Sequence, residues 1–136
     1  MAVAFFVRAS HPLLALGELS LDQLMDYPVG CPNLPELVLR HFESQIKRTD
    51  RAFFSVVCND MSTLRHLALT ANAVILAPDS PGLNHGAESL VRLPIRKLNA
   101  MLTHYSIVTL AKRTMSPAAR AFSALIHDMM ASSGTA

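Results

Sequence analysis

Apolar and polar positions change period along this chain, and each change marks a predicted element. Residues 53–58 (FFSVVC) are rich in aromatic and β-branched side chains, which predicts a buried strand. Residues 61–71 then repeat apolar side chains at helical spacing, after an N-cap that Asn59 or Asp60 can supply. Residues 73–77 form a second apolar run. Strand, helix and strand predict a βαβ unit whose two strands are parallel neighbours.

The same pattern predicts elements on both sides of this unit. Further strands are predicted at residues 2–8, 29–31, 90–95 and 105–110. Helices are predicted to begin at Ser20, where Gln23 completes a capping-box spacing, at Pro35, and at Ser116-Pro117. Strands and helices that alternate across short loops predict an α/β fold, with a mostly parallel sheet and flanking helices.

Helical spacing also predicts which side chains face the core. In the helix after Pro35 they are Val38, Phe42 and Ile46. In the last helix a buried stripe is predicted from Phe122, Leu125, Ile126 and Met129.

Composition adds one constraint. The 136 residues have the length of a single domain, yet 51% are hydrophobic and only 16% are charged. That is more apolar surface than a small monomer needs, so we expect a partner or a missing segment to cover part of it. The predicted first strand begins almost at Met1, which favours a chain cut from something longer.

Charge and cysteine content narrow the function classes. The net charge of +2 is small, and the basic run at residues 47–51 is interrupted and lacks aromatic residues, so a solvated helix end is favoured over nucleic-acid binding. Neither a helix-turn-helix nor a zinc-finger spacing occurs, and the chain is not expected to bind DNA by itself. Two cysteines without a framework, no signal-peptide pattern and no run of ~20 apolar residues predict a cytoplasmic protein without a membrane span.

Five phrases occur in an order that resembles a known family. They are VRASHPL, LDQLMDYPV, SVVCNDMSTLRHLAL with VILAP, LVRLPI, and YSIVTLAKRTMSPAARAF. Together they resemble the effector-binding, or substrate-binding, domain of LysR-type transcriptional regulators over nearly the whole chain. The resemblance implies a periplasmic-binding-protein-like (type 2) fold, in which two α/β subdomains hold a small effector between them.

The family pattern also divides the chain. Residues 27–99 are expected to form the second subdomain, whereas residues 1–26 and 100–136 are expected to be part of the first. The DNA-binding domain and the first half of the first subdomain are expected to be absent. The predicted fold is therefore one full subdomain plus part of a second.

The candidate effector site lies where predicted strands end and helices begin. There, helix N-termini offer unpaired N–H groups to a small polar or anionic ligand. The resemblance implies ligand contacts at Ser10, Gly30, Cys31, Cys58, Asn59, Met61 and Ser62. An alternative stays open, in which residues 58–62 only cap the following helix, and the charge of Asp60 favours that alternative.

Other reactive side chains carry weaker signals. Cys31 and Cys58 are predicted to be near neighbours across the cleft, where they are either a redox pair or, as the pattern favours, inert buried thiols. His11, beside a proline, is expected to cap the local turn. Six histidines (His11, His41, His66, His85, His104 and His127) share no ligand spacing, so no metal site is predicted. No catalytic constellation or cofactor motif is present, and the chain is not expected to be an enzyme.

Two function classes follow. The first is an effector-sensing regulatory domain that binds a small molecule in the cleft and acts within a homo-oligomer of a DNA-binding parent regulator. The second is a truncated dimerisation or interaction module without a competent ligand site, in which the apolar excess simply joins two chains.

Overall fold

One five-stranded sheet with helices on both faces forms the body of the protein. The computed structural model describes residues 2–79, 89–96, 106–111 and 113–132. The strands are β1 (Val3–Arg8), β2 (Val29–Cys31), β3 (Val56–Val57), β4 (Val74–Pro78) and β5 (Leu90–Arg92), in the order β3-β2-β4-β1-β5. The helices are a 3₁₀ helix (Pro12–Leu16), α1 (Leu21–Leu24), α2 (Glu36–Glu43), α3 (Met61–Thr70) and α4 (Pro117–Ser132).

The sheet is mixed, and β1 is its reversed strand. β2 pairs in parallel with β3 and with β4, whereas β1 pairs antiparallel with β4 and with β5. Four of these five strands therefore run in one direction, in agreement with the predicted mostly parallel sheet. Because β2, β3 and β4 share a direction, their carboxyl ends lie at one edge of the sheet and their amino ends at the other.

The central βαβ unit differs from its prediction in one respect. β3 and β4 are parallel, but β2 lies between them, so they are not neighbours. The first strand is also shorter than the apolar run that predicted it. Phe53 and Phe54 leave the ladder and pack their rings together instead, with ring centroids 4.8 Å apart. Apolar runs indicate strands, but they do not indicate which strands pair.

Consecutive phenylalanines in β1 build the core on both faces of the sheet. Phe5 points to the face covered by α1 and α2, where its ring contacts Phe42 at 5.7 Å and Phe53 at 5.9 Å. Phe6 points to the opposite face and joins Leu64 of α3. This follows from the two-residue period of a strand, and it gives a layer of helices on each side.

Several local predictions are confirmed. The Ser20 backbone N–H donates to Gln23 Oε1 at 2.8 Å, which is the predicted capping box. Phe42 is fully buried, as its helical spacing indicates. The His11 imidazole caps the local turn, because its Nδ1 atom accepts a hydrogen bond from the Leu13 backbone N–H at 3.2 Å.

Two predictions for the C-terminal region are wrong: the strand at residues 105–110 and the buried stripe of the last helix. Residues 106–110 form no strand, and Val108 is 91% exposed; Tyr105, also in the predicted strand, lies outside the described residues. The helix is present as α4, but its expected buried stripe is open, since Phe122 is 64% exposed and Leu125 55%. A β-prone run needs a ladder partner, and an amphipathic face needs a cover. Neither can be read from the pattern itself.

Phe42→Ala should lower the free energy of unfolding by about 3–5 kcal/mol, because it leaves a cavity where three phenylalanine rings now meet. Leu37→Ala is the matched control on the same helix, since Leu37 is 81% exposed and its loss should have little effect. Urea unfolding followed by circular dichroism measures both. Equal losses in the two variants would contradict the assigned packing.

The buried His11 ring makes folding pH-dependent. Burial, the largest influence, lowers the pKa of His11; the Asn72 backbone opposes this shift and the Arg8 charge adds to it. The influence of Asn72 is smaller than that of burial, and Nε2 forms no hydrogen bond with a described residue. The folded protein therefore binds a proton less readily than the unfolded chain does.

We expect the protein to lose stability as the pH falls below about 6.5. In that range His11 binds a proton in the unfolded chain but stays neutral in the folded protein, so protonation favours unfolding. His11→Gln should flatten this dependence, whereas the exposed control His66→Gln should preserve it. Thermal unfolding at a series of pH values from neutral to mildly acidic measures the slopes. A slope that survives in His11→Gln would show that another group is responsible.

Candidate functional site

The candidate site lies at the sheet edge where β2 and β3 end. Gly30 pairs with Val56 and Cys31 with Val57. One bond beyond the strands, the Cys58 N–H donates to the Cys31 carbonyl oxygen at 3.0 Å. β2 and β3 are parallel neighbours, so the loops that follow them leave the sheet side by side.

A side chain ties the two loops together. Asn59 Oδ1 accepts a hydrogen bond from the Asn33 backbone N–H at 2.8 Å. Both asparagines are exposed, so the bond lies at the solvent-facing rim. Asn33 was not predicted, because its signal in the sequence is weak: a polar residue two positions beyond a short strand.

Asp60 caps α3 and determines the charge of the site. Its Oδ2 accepts from the Thr63 hydroxyl at 2.6 Å, and its Oδ1 accepts from the Ser62 backbone N–H at 3.0 Å. These bonds, the one from Thr63 foremost, lower the pKa of Asp60, so the carboxylate is charged at neutral pH. The cap takes up an N–H group that an anionic ligand would need, and its charge repels such a ligand.

Gly30 and Met61 serve packing beneath this edge. A Cβ atom at Gly30 would lie 3.1 Å from Leu64 Cδ2, so the glycine lets α3 approach β2 closely. Met61 is half-buried and packs on the same face as Leu64. Both lie at the site, but the contacts they make are with the core.

The two cysteines lie on opposite faces of the sheet. Cys31 is fully buried on the face of Phe5, whereas half-buried Cys58 packs on the face of Phe6. The two residues are neighbours in the sheet, as predicted, since the Cys58 N–H donates to the Cys31 carbonyl oxygen at 3.0 Å. Their thiols, however, do not face each other across a cleft, because the adjacent strand backbones direct them apart, and a disulfide would need the sheet to reorganise. Burial also raises the pKa of the Cys31 thiol to about 11, which leaves it protonated and weakly reactive.

Ser10 is not brought together with the other six residues. It follows β1, which runs opposite to β2 and β3, and so lies at the far edge of the sheet. There its hydroxyl contacts the Arg8 guanidinium, which also donates to Asn72 Oδ1 at 2.6 Å. This Arg8–Asn72 contact was not predicted, and it joins the end of β1 to the turn after α3.

Exposure and charge indicate what the site can bind. Asn59 and Ser62 are exposed beside the charged Asp60 carboxylate, while Cys31 and Gly30 lie beneath them, buried. Such an edge suits a polar ligand that is uncharged or positively charged, because the nearest fixed charge is negative. An anionic ligand is disfavoured at this edge, contrary to one expectation from the sequence.

No metal centre accompanies the site in the described part of the chain, where no three His, Cys, Asp or Glu residues cluster. His85 and His104 lie outside that part. Among the described helices, none is both long enough and apolar enough to cross a membrane.

Comparison with solved structures supports the fold. The chain is similar to HinK, a LysR family transcriptional regulator from Pseudomonas aeruginosa known from a crystal structure, with a TM-score of 0.61 and 12% sequence identity. The similarity covers 93% of this chain but only 43% of that one, so this chain spans less than half of that regulator. No curated protein matches the sequence.

A family model described as the LysR substrate binding domain matches residues 2–131. This match and the structural similarity confirm the predicted α/β fold of the periplasmic-binding-protein type. The family is regulatory rather than catalytic. From its sheet, its helices and this match over nearly its full length, the chain belongs to the LysR substrate-binding domain family.

Proposed function

We propose that this chain is the effector-sensing part of a LysR-type transcriptional regulator. The observation that carries the proposal is the family match over residues 2–131, together with the paired loops at the ends of β2 and β3. The effector is a small molecule, and the chain has no enzymatic activity of its own. Residues 27–99 form the second subdomain, and residues 1–26 and 100–136 belong to the first.

The Asn33–Asn59 bond supports a mechanism for sensing. A ligand that hydrogen-bonds Asn59 competes with, or adds to, the bond that joins the two loops. Binding therefore changes how firmly the β2 and β3 loops are held together. A ligand shifts a conformational equilibrium only by the difference between its affinities for the two states, and this bond differs between them.

In this proposal, DNA binding and oligomer formation are properties of the parent regulator. DNA is bound by another part of the regulator. The net charge of this chain is only +2, which attracts DNA phosphates weakly. The regulator acts in the cytoplasm as a homo-oligomer, and effector binding biases that assembly. No cofactor takes part.

The charge of the small molecules that bind this chain tests the proposed effector site. A thermal-shift screen of this chain against uncharged, cationic and anionic metabolites should give its hits among the first two classes, because the Asp60 carboxylate repels anions. Calorimetry then measures the affinity of each hit. A set of hits that is mainly anionic would contradict the proposed site.

Ser62→Ala should weaken the best hit by roughly fivefold to tenfold, the usual effect of one lost hydrogen bond. Asn59→Ala should weaken it more, since the bond to Asn33 is also lost. Ser123→Ala, in α4, is the control and should leave the affinity unchanged. If all three variants bind the hit like the wild-type chain, the ligand binds elsewhere.

One observation favours the second function, a self-association module. Of ten large hydrophobic side chains that are exposed in the described residues, seven lie between Ile107 and Met130. Phe122 and Leu125 lie on one face of α4, three residues apart. An apolar surface of this kind usually binds a partner, and a second copy of the chain carries the same surface.

Light scattering coupled to size exclusion tests self-association. The wild-type chain should elute as a dimer, and the double variant Phe122→Ser with Leu125→Ser should be monomeric, because the burial of these side chains drives the association. Ala124→Ser, on the same helix, is the control and should remain dimeric. A wild-type chain that is monomeric at all concentrations would exclude this function.

A further inference from the structure

Among the described residues, His11 is the one polar side chain that is buried, with 2% of its surface exposed. It lies just beyond β1, at the sheet edge opposite the candidate effector site. The His11 N–H donates to the Arg8 carbonyl oxygen at 3.0 Å, and the His11 carbonyl oxygen accepts from the Leu14 N–H at 3.1 Å. The backbone therefore fixes the ring at the junction between β1 and the 3₁₀ helix.

Four segments of the chain surround the His11 ring. They are β1 with the charged Arg8, the 3₁₀ helix with Leu13, the segment before β2 with Tyr27, and the turn after α3 with Asn72. The Tyr27 ring, the other titratable group among them, lies 4.6 Å from the imidazole between centroids. No carboxylate of a described residue is hydrogen-bonded to the imidazole. A positive charge on His11 would therefore add to that of Arg8 without compensation.

The hydrogen bonds of the imidazole fit only its neutral form. Nδ1 accepts from the Leu13 N–H at 3.2 Å, so Nδ1 carries no proton and the single proton of the neutral ring is on Nε2. A second proton has to bind Nδ1, where it would face the Leu13 N–H, and two donors cannot bond each other. Protonation of His11 therefore breaks the cap of the 3₁₀ helix.

Arg8 connects this junction to the end of α3. Its guanidinium donates to Asn72 Oδ1 from Nε at 3.2 Å and from Nη2 at 2.6 Å. Asn72 directly follows Ala71, the C-cap of α3, whose N–H donates to the Leu67 carbonyl oxygen at 3.0 Å. A positive charge on His11 repels the Arg8 guanidinium, and this repulsion weakens the contact that holds the turn after α3.

α3 extends from this turn to the candidate effector site. It has 10 residues, Met61–Thr70, and is therefore about 15 Å long. Its N-cap is Asp60, which accepts from the Ser62 N–H at the effector edge. Between the two ends, buried Leu64 lies close to Gly30 of β2. Because a short helix moves as one body, loosening its C-terminal end changes how firmly its N-terminal end holds Ser62.

We propose that Arg8, His11, Leu13 and Asn72 form a pH-sensitive latch, which holds the turn after α3 and makes the effector edge respond to protons. With a neutral imidazole, the cap at Leu13 and the Arg8–Asn72 contact are intact. With a protonated imidazole, both contacts are lost while the sheet stays folded, and the effector binds less tightly because Ser62 is held less firmly. The statement about the effector rests on the proposed function, whereas the opening of the latch does not.

Amide hydrogen exchange, followed by NMR from neutral to mildly acidic pH, measures the latch in the chain without a ligand. After correction for the intrinsic exchange rate, protection at Leu13, Leu14 and Ala71 should fall about tenfold for each pH unit below about 6.5, because opening takes up one proton. The Leu93 N–H, which donates to the Phe5 carbonyl oxygen in the sheet at 2.8 Å, should stay more protected throughout. Equal protection at Leu93 would show that acid unfolds the whole domain, and would overturn the proposal.

The chemical shift of the Ser62 amide tests the connection to the effector edge. It should change with the same midpoint as the opening at Leu13. Hydrogen bonds, the one from Thr63 foremost, lower the pKa of the neighbouring Asp60, so this carboxylate does not titrate in the same range. A constant Ser62 amide while Leu13 opens would overturn the proposal. If both amides respond and no effector is found, the proposed function is contradicted and the latch is not.

Variants assign the pH dependence to particular side chains. His11→Gln should abolish the slope at Leu13, because its amide oxygen accepts from the Leu13 N–H but takes up no proton. Arg8→Gln should move the slope to higher pH, since the Arg8 charge lowers the pKa of His11. His66→Gln, at an exposed position of α3, is the control and should keep the wild-type slope. A slope that persists in His11→Gln would overturn the proposal. If that variant does not fold, an unchanged slope in Arg8→Gln would do so.

Discussion

The alternation of Phe5 and Phe6 along β1 is the constraint on which the rest of the structure depends. One ring closes the aromatic cluster with Phe42 and Phe53, and the other joins Leu64 of α3 on the opposite face. A shift of β1 by one residue would exchange the two faces and place each ring in the wrong layer. Since β1 also pairs with β4 and β5, its register transmits this arrangement across the sheet.

The shared direction of β2, β3 and β4 separates the molecule into two edges with different chemistry. At their carboxyl ends, two loops meet through Asn59 beside the charged cap at Asp60. At their amino ends, a surface cavity lies beside Arg48 and the two aspartates with which it is ion-paired. Both edges rest on the core, which packs around Phe5 on one face of the sheet and against α3 on the other.

Most of the exposed hydrophobic side chains lie in one region of the chain, after residue 105. The described residues before position 97 bury their large side chains around the sheet, with Leu16, Leu37 and Val57 as exposed exceptions. The region after residue 105 does not, and Phe122 and Leu125 remain in water. An apolar surface of this kind usually binds a partner. The high hydrophobic content is thus a property of one region rather than of the whole core.

The sequence by itself determined the features that depend on residues close together in the chain. The strand at residues 29–31, the capping box at Ser20, the cap at Asp60 and the buried side of α2 all follow from short-range spacing, and the ordered phrases indicated the family. Only the tertiary structure decided that β2 lies between β3 and β4, that Cys31 and Cys58 face apart, and that α4 leaves its stripe open. The physical reason is that periodicity indicates which face of a helix or strand is apolar. The order of the strands, and the element that buries each apolar face, depend on contacts between residues distant in sequence.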